Sequence, residues 1–124
     1  MTPTARSIAL LRAEGYVVGQ VERLNRGAAS RGVVITHDLF GFADLAAVNG
    51  VPGSGTLYVQ VTAGGHGPER EAKIRSLGSA RRVLLAGNRI EVHDWRRRKV
   101  RGTAVERVQV VRTEITLEAL AWVR

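Results

Sequence analysis

The chain contains no cysteine, which excludes a disulfide framework, a cysteine nucleophile and any thiolate zinc site. No apolar run approaches the roughly 20 residues that cross a bilayer. Met1 to Leu11 lacks a basic stretch followed by a long apolar core, so no signal peptide is expected and the protein is expected to act where it is made. The absence of cysteine fits a reducing cytoplasm. Aromatic residues are scarce, two each of Trp, Tyr and Phe, which argues against the stacking platform of a single-strand nucleic-acid specialist. Lysine is nearly missing too. Of nineteen Lys and Arg only Lys73 and Lys99 are lysine, leaving seventeen arginines.

What is present is a surplus of positive charge. Nineteen cations against eleven anions give +8 in 124 residues. A field of that sign attracts polyanions and speeds their encounter, and arginine suits bidentate contacts to phosphate. Nucleic acid is the expected polyanion; the plainer source of the bias is an arginine-rich codon usage. Length and a 44% hydrophobic content fit one folded domain over 1–124 with a core of its own.

Thr2-Pro3 predicts a helix start, a capping residue followed by Pro at the first helical position, and Gly15 a helix end. Tyr16–Val21 reads as a strand, Asn25–Gly32 as a loop and Val33–Ile35 as the start of a second strand. Phe42–Val48 and Thr56–Thr62 read as strands of an antiparallel hairpin around the turn Asn49–Gly55. A Gly-rich loop, Ala63–Gly67, precedes a helix opened by Pro68. Ser79 is expected to cap a further helical stretch, Ala80–Ala86. Arg89–Trp95 alternates as a strand, Ile90 and Val92 one way, Glu91 and His93 the other. Arg96–Arg101 reads as a basic turn and Val105–Ile115 as a strand, with Thr116 capping a short helix through Trp122. This order predicts an α/β fold with a mixed central sheet flanked by helices.

Two residues break the pattern of their strands. Asp44 stands among Phe42, Ala43, Leu45, Ala46, Ala47 and Val48, and a carboxylate in such a run is costly unless a metal, an arginine or a backbone donor pairs with it. Gln60 interrupts Leu57-Tyr58-Val59 and shares a face with Thr62 by the period of two. Hairpin pairing would set Asp44 beside Gln60. The plainer readings are a satisfied structural carboxylate and a half-exposed strand.

An Asp on one strand, a Gly-rich turn, a polar triplet Gln60-Val61-Thr62 on the next strand and then a helix with Arg70 and Lys73 resembles the PD-(D/E)XK nucleases, in particular small phage and bacterial members and Holliday-junction resolvases. The resemblance covers roughly residues 4–95, with 103–123 as an extension. It implies a restriction-endonuclease-like α-β-β-β-α-β core and metal-dependent hydrolysis of DNA in the cytoplasm of a bacterium or a phage-infected cell. It implies Mg²⁺ or Mn²⁺ held by Asp44 and Gln60. Thr62 stands where the family's lysine stands, so the cation is expected from the next helix, from Lys73 or from Arg70. Glu22 is the preferred further metal ligand and Asp38 the next; Asp38 equally suits a turn cap. The alternative is a DNA-binding protein on the same fold whose catalysis is impaired.

Among the basic features, Arg96, Arg97, Arg98, Lys99 and Arg101 form the densest run and the first candidate for phosphate contact. His66, in the Gly-rich loop, is the histidine nearest the expected site, and the helix start beside it is a candidate anion seat. A homodimer is expected for a resolvase, and the apolar alternation of Val105–Val123 suits either its interface or an added strand.

Overall fold

A computed structural model describes residues 1–25 and 35–120. Of the expected loop Asn25–Gly32, Asn25 instead ends a short strand; its remainder, 26–32, the start of the second strand at Val33 and the end of the last helix at Trp122 lie outside the described residues. Helix α1 is Pro3–Ala13. It starts as expected: the Thr2 hydroxyl accepts from Ala5 N at 3.1 Å, with Pro3 in the first turn. Strand β1 is Val17–Gln20, β2 Arg23–Asn25, β3 Ile35–His37, β4 Leu45–Val48 and β5 Leu57–Ala63. Helices α2, Gly67–Arg75, and α3, Gly78–Leu85, lead to β6, Arg89–Lys99, and β7, Glu106–Ile115, with a 3₁₀ turn at Glu118–Leu120.

One sheet has the order β1-β4-β5-β6-β7, and β2 and β3 form a separate ribbon. The sheet is mixed. β1–β4, β4–β5 and β6–β7 are antiparallel, while β5 and β6 are parallel and joined through α2 and α3. A parallel pair needs such a crossover, whereas β4–β5 closes through a short Gly-rich turn. Gly55 in that turn is irreplaceable in space: its φ is +67° and a Cβ would lie 2.3 Å from the Gly87 carbonyl oxygen.

The alternation of the strands divides the core between the two sheet faces. On one, α1 packs Leu11 against Leu45, Ala47, Leu57 and Val59. On the other, α2 and α3 pack Ile74, Ala80 and Val83 against Phe42, Ile90, Val92 and Ile115. Both faces of β6 are therefore covered from Ile90 to Asp94, and Glu91 and His93 are buried like their apolar neighbours.

Three expectations need correction. Arg96–Lys99 is not a turn but the continuation of β6, held by β7 up to the pair Lys99↔Glu106. Ladder pairing with β7 outweighs the mutual repulsion of the cations. Ser79 does not cap α3. That helix begins one residue earlier, and the Ser79 hydroxyl donates to the Phe40 carbonyl at 2.7 Å. The Phe42–Val48 strand is shorter than its apolar run. Asp44 sits in a bend, and regular pairing starts at Leu45.

Candidate metal centre beside β4 and β5

Asp44 is fixed by its own backbone. Its N–H donates to Val59 O at 2.9 Å, and its carbonyl accepts from Val21 N at 3.0 Å. Both neighbouring strands thus clamp the residue just where β4 begins. The Asp44 carboxylate Oδ2 accepts from Val61 N at 2.8 Å and from Gln60 Nε2 at 3.1 Å. The pairing of Asp44 with Gln60 that hairpin register required is therefore present.

Asp38 reaches the same point by a tight reversal. Leu39 and Ala43 bridge antiparallel, with Leu39 N to Ala43 O at 2.9 Å and the return bond at 2.8 Å. Residues 38 and 44 flank that bridge and are carried side by side. The reversal needs left-handed backbone at Phe40, φ 59°, and Gly41, φ 86°. For Phe40 that is strain, held by the Ser79 hydrogen bond and by the edge of Tyr58, ring centroids 5.5 Å apart. Glu22 arrives from the end of β1, next to the Val21 N–H that binds Asp44. One carboxylate oxygen from each of Glu22, Asp38 and Asp44 lies within 4.8 Å of the others. Asp44 is buried, and Glu22 and Asp38 are half-buried.

Such a group is electrostatically unfavourable when fully ionised. Burial, chiefly, and then the charge of Asp38 push the Asp44 carboxyl up to about 8, against the opposing pull of the Val61 N–H. Among the described residues no ion pair involves Glu22, Asp38 or Asp44; the arginines that are paired serve Glu14, Glu71, Glu91, Asp94 and Glu114. Gln60 adds a second anomaly. It is 4% exposed, and its Oε1 has no hydrogen-bond partner among the described residues. A buried acceptor left empty costs about 1–3 kcal/mol. Three carboxylates form a hard-oxygen donor set, suited to Mg²⁺, Mn²⁺ or Ca²⁺, and a cation there would offset their mutual repulsion.

Thr62 lies two residues beyond Gln60 on the same face, half-buried and opposite Asp94 in the β5–β6 ladder. Arg70 and Lys73 are on α2, on the sheet face that Gln60 also occupies, and both are exposed. Neither makes an ion pair with the acidic group. His66 is exposed, 3.5 Å from Glu69.

The Gly-rich loop is not a free anion seat. Asp94 takes it: Oδ1 accepts from Gly65 N at 3.2 Å and Oδ2 from Gly67 N at 3.1 Å, while Arg96 Nε donates to Oδ2 at 2.8 Å. Although burial opposes it, these donors hold the Asp94 carboxyl below its ordinary range. Arg96 is consequently partly committed, whereas Arg97, Arg98, Lys99 and Arg101 are exposed. A cleft of about 460 Å³ opens beside this loop, lined by Ala63, Gly64, Gly65, Trp95, Arg96 and Arg97, and holds none of the three clustered carboxylates.

Sequence reasoning missed a network on the opposite sheet face. Trp95 Nε1 donates to Ser7 Oγ at 2.8 Å, Ser7 Oγ lies 2.9 Å from His93 Nδ1, and His93 Nε2 lies 2.9 Å from Glu91 Oε1. Glu91 Oε1 also accepts from Arg112 at 3.0 and 2.9 Å. The carboxylate can only accept, so the imidazole donates to it through Nε2–H. The serine–histidine–carboxylate sequence suggests nucleophilic chemistry, but Ser7 and His93 are both 0% exposed. The network braces α1 against β6. Its signal was readable in Ser7, four residues before Leu11 on the buried side of α1.

Comparisons with protein-family models, with curated proteins and with solved structures return no match.

Proposed function

We propose that this chain is a divalent-cation-dependent phosphodiesterase acting on DNA, with a restriction-endonuclease-like core and Asp44 at the centre of its site. The observation that carries the reading is the convergence of the Glu22, Asp38 and Asp44 carboxylates, one oxygen of each within 4.8 Å of the others. Mg²⁺ or Mn²⁺ in that set would polarise a phosphodiester and acidify an attacking water. The rest is done by the chain. Val61 N–H and the Gln60 amide orient the Asp44 carboxylate. Glu22 and Asp38 complete the oxygen donors. Arg70 and Lys73, free to swing from α2, offset charge gathering on the phosphate. A homodimer would set two such sites against the two strands of a duplex.

Thr62, where the resemblance calls for a lysine, favours a second reading in which the same fold binds DNA without cutting it. Plasmid nicking separates the two. With Mg²⁺ or Mn²⁺ the parent should nick supercoiled DNA. Asp44→Ala should lower the rate by at least about 100-fold and Lys73→Ala by at least about tenfold, within the range that single electrostatic groups contribute. Equal nicking by parent and Asp44→Ala would remove the site. A parent that binds DNA but leaves it intact selects the second reading.

A further inference from the structure

β6 outruns its inner neighbour. It pairs with β5 only as far as Trp95 but with β7 as far as Lys99. Beyond Trp95, β6 and β7 therefore form a two-stranded arm that leaves the sheet. Residues 96–107 hold six cations, Arg96, Arg97, Arg98, Lys99, Arg101 and Arg107, against Glu106 alone. The ladder sets Arg98 directly opposite Arg107. Like charges so placed destabilise a ribbon, and among the described residues neither has an ion-pair partner. The arm is basic on both faces, Arg98 and Arg107 on one, Arg97 and Lys99 on the other. Ladder parity from Gln60↔Val92 puts Arg98 and Arg107 on the sheet face of the Asp44 site. Val92 to Arg98 is six residues, about 20 Å along the strand.

We propose that the β6–β7 arm enters the major groove of B-form DNA, its cations reaching the phosphate rows that border the groove. Two strands about 4.8 Å apart, with their side chains, suit a groove about 12 Å wide. The deep, narrow major groove of A-form RNA does not admit them. The inference rests on the phosphodiesterase reading only in naming what the arm delivers to Asp44, a duplex phosphate roughly half a helical turn away.

The test measures binding without metal. A labelled 20-base-pair DNA duplex, the RNA duplex of the same sequence and the single strand are titrated with the full chain in EDTA over a salt series. The parent should bind the DNA duplex at least tenfold more tightly than either alternative. Arg98→Gln with Arg107→Gln should weaken duplex binding at least tenfold and make the log–log salt slope shallower by about 2, since each phosphate contact contributes about 0.9. Arg98→Glu restores an opposite-charge pair with Arg107, so it should melt no lower than the parent and still lose affinity. Unchanged affinity and slope overturn the proposal, as does RNA duplex or single strand bound as tightly as DNA. Polyglutamate competing as well as DNA would assign the arm to acidic peptides and overturn it too. Arm-dependent binding with no cleavage removes the phosphodiesterase reading alone; cleavage undiminished in the doubly substituted chain removes the arm alone.

Discussion

Asp44→Asn should melt at a higher temperature than the parent at pH 8.5 in EDTA, while losing all stabilisation by Mg²⁺ or Mn²⁺. In the unfolded chain the carboxyl titrates near its ordinary 3.8; in the fold, burial and the Asp38 charge hold its proton until about pH 8. A group whose folded value is raised contributes its full stability below the unfolded value and loses it as pH climbs through the folded one. Without a cation, the parent should therefore weaken steadily from about pH 4 to pH 8. Asn is nearly isosteric, can still accept from Val61 N–H and carries no charge. The gain above pH 8 should be about 2–4 kcal/mol, several degrees in a domain of this size. A cation at 100 times its Kd should return about 2.7 kcal/mol to the parent and nothing to the variant. Its binding should release protons and tighten as pH rises toward 8. Thermal melts from pH 4 to 9, with and without Mn²⁺, read all of this. A variant less stable than the parent at pH 8.5 would make Asp44 an ordinary structural carboxylate.

Glu91 should behave in the opposite sense. Its carboxylate is buried, and although burial alone raises its pKa, hydrogen bonds from His93 and Arg112 and the charge of Arg112 pull it below the ordinary 4.5. A depressed group contributes stability that is present above the unfolded value and is lost as pH falls through the folded one. Glu91→Ala strips acceptors from His93 Nε2 and from Arg112, and removes the carboxylate beside Arg89. Breaking such a pair by removing one partner costs about 3–5 kcal/mol. Glu91→Gln keeps the shape and should cost about 1–3 kcal/mol. In the Gln variant the acid limb below pH 4.5 should flatten. Urea unfolding at pH 7 and at pH 3.5 measures both effects; a Gln variant whose loss is the same at the two values would show that Glu91 acts by packing alone.

Much of the arrangement around Asp44 was legible because it depends on short-range rules. Period-two alternation and one Gly-rich turn bring Asp44 to Gln60, and the Thr2-Pro3 start shows at the N-terminus of α1. What was not legible depends on partners far apart in sequence. Nothing local indicates that Asp94 takes the Gly65 and Gly67 N–H groups across the β5–β6 crossover, or that Ser7 meets His93 across 86 positions. The basic run at Arg96 looks like a turn because charge density is a local property, whereas its strand conformation comes from β7. The sequence offers Glu22 and Asp38 as successive candidates for one ligand place, but the reversal at Phe40-Gly41 carries Asp38 to Asp44 and the Val21–Asp44 hydrogen bond carries Glu22 there as well.

The central claim is that the three carboxylates and the Gln60 oxygen hold a divalent cation. A crystal grown with Mn²⁺, examined for anomalous scattering, tests it most directly. One strong peak is expected at about 2–2.5 Å from an oxygen of each of Asp44, Glu22 and Asp38, with the Gln60 amide oxygen turned toward it. A site without that peak, its carboxylates met instead by an arginine or lysine side chain, would contradict it.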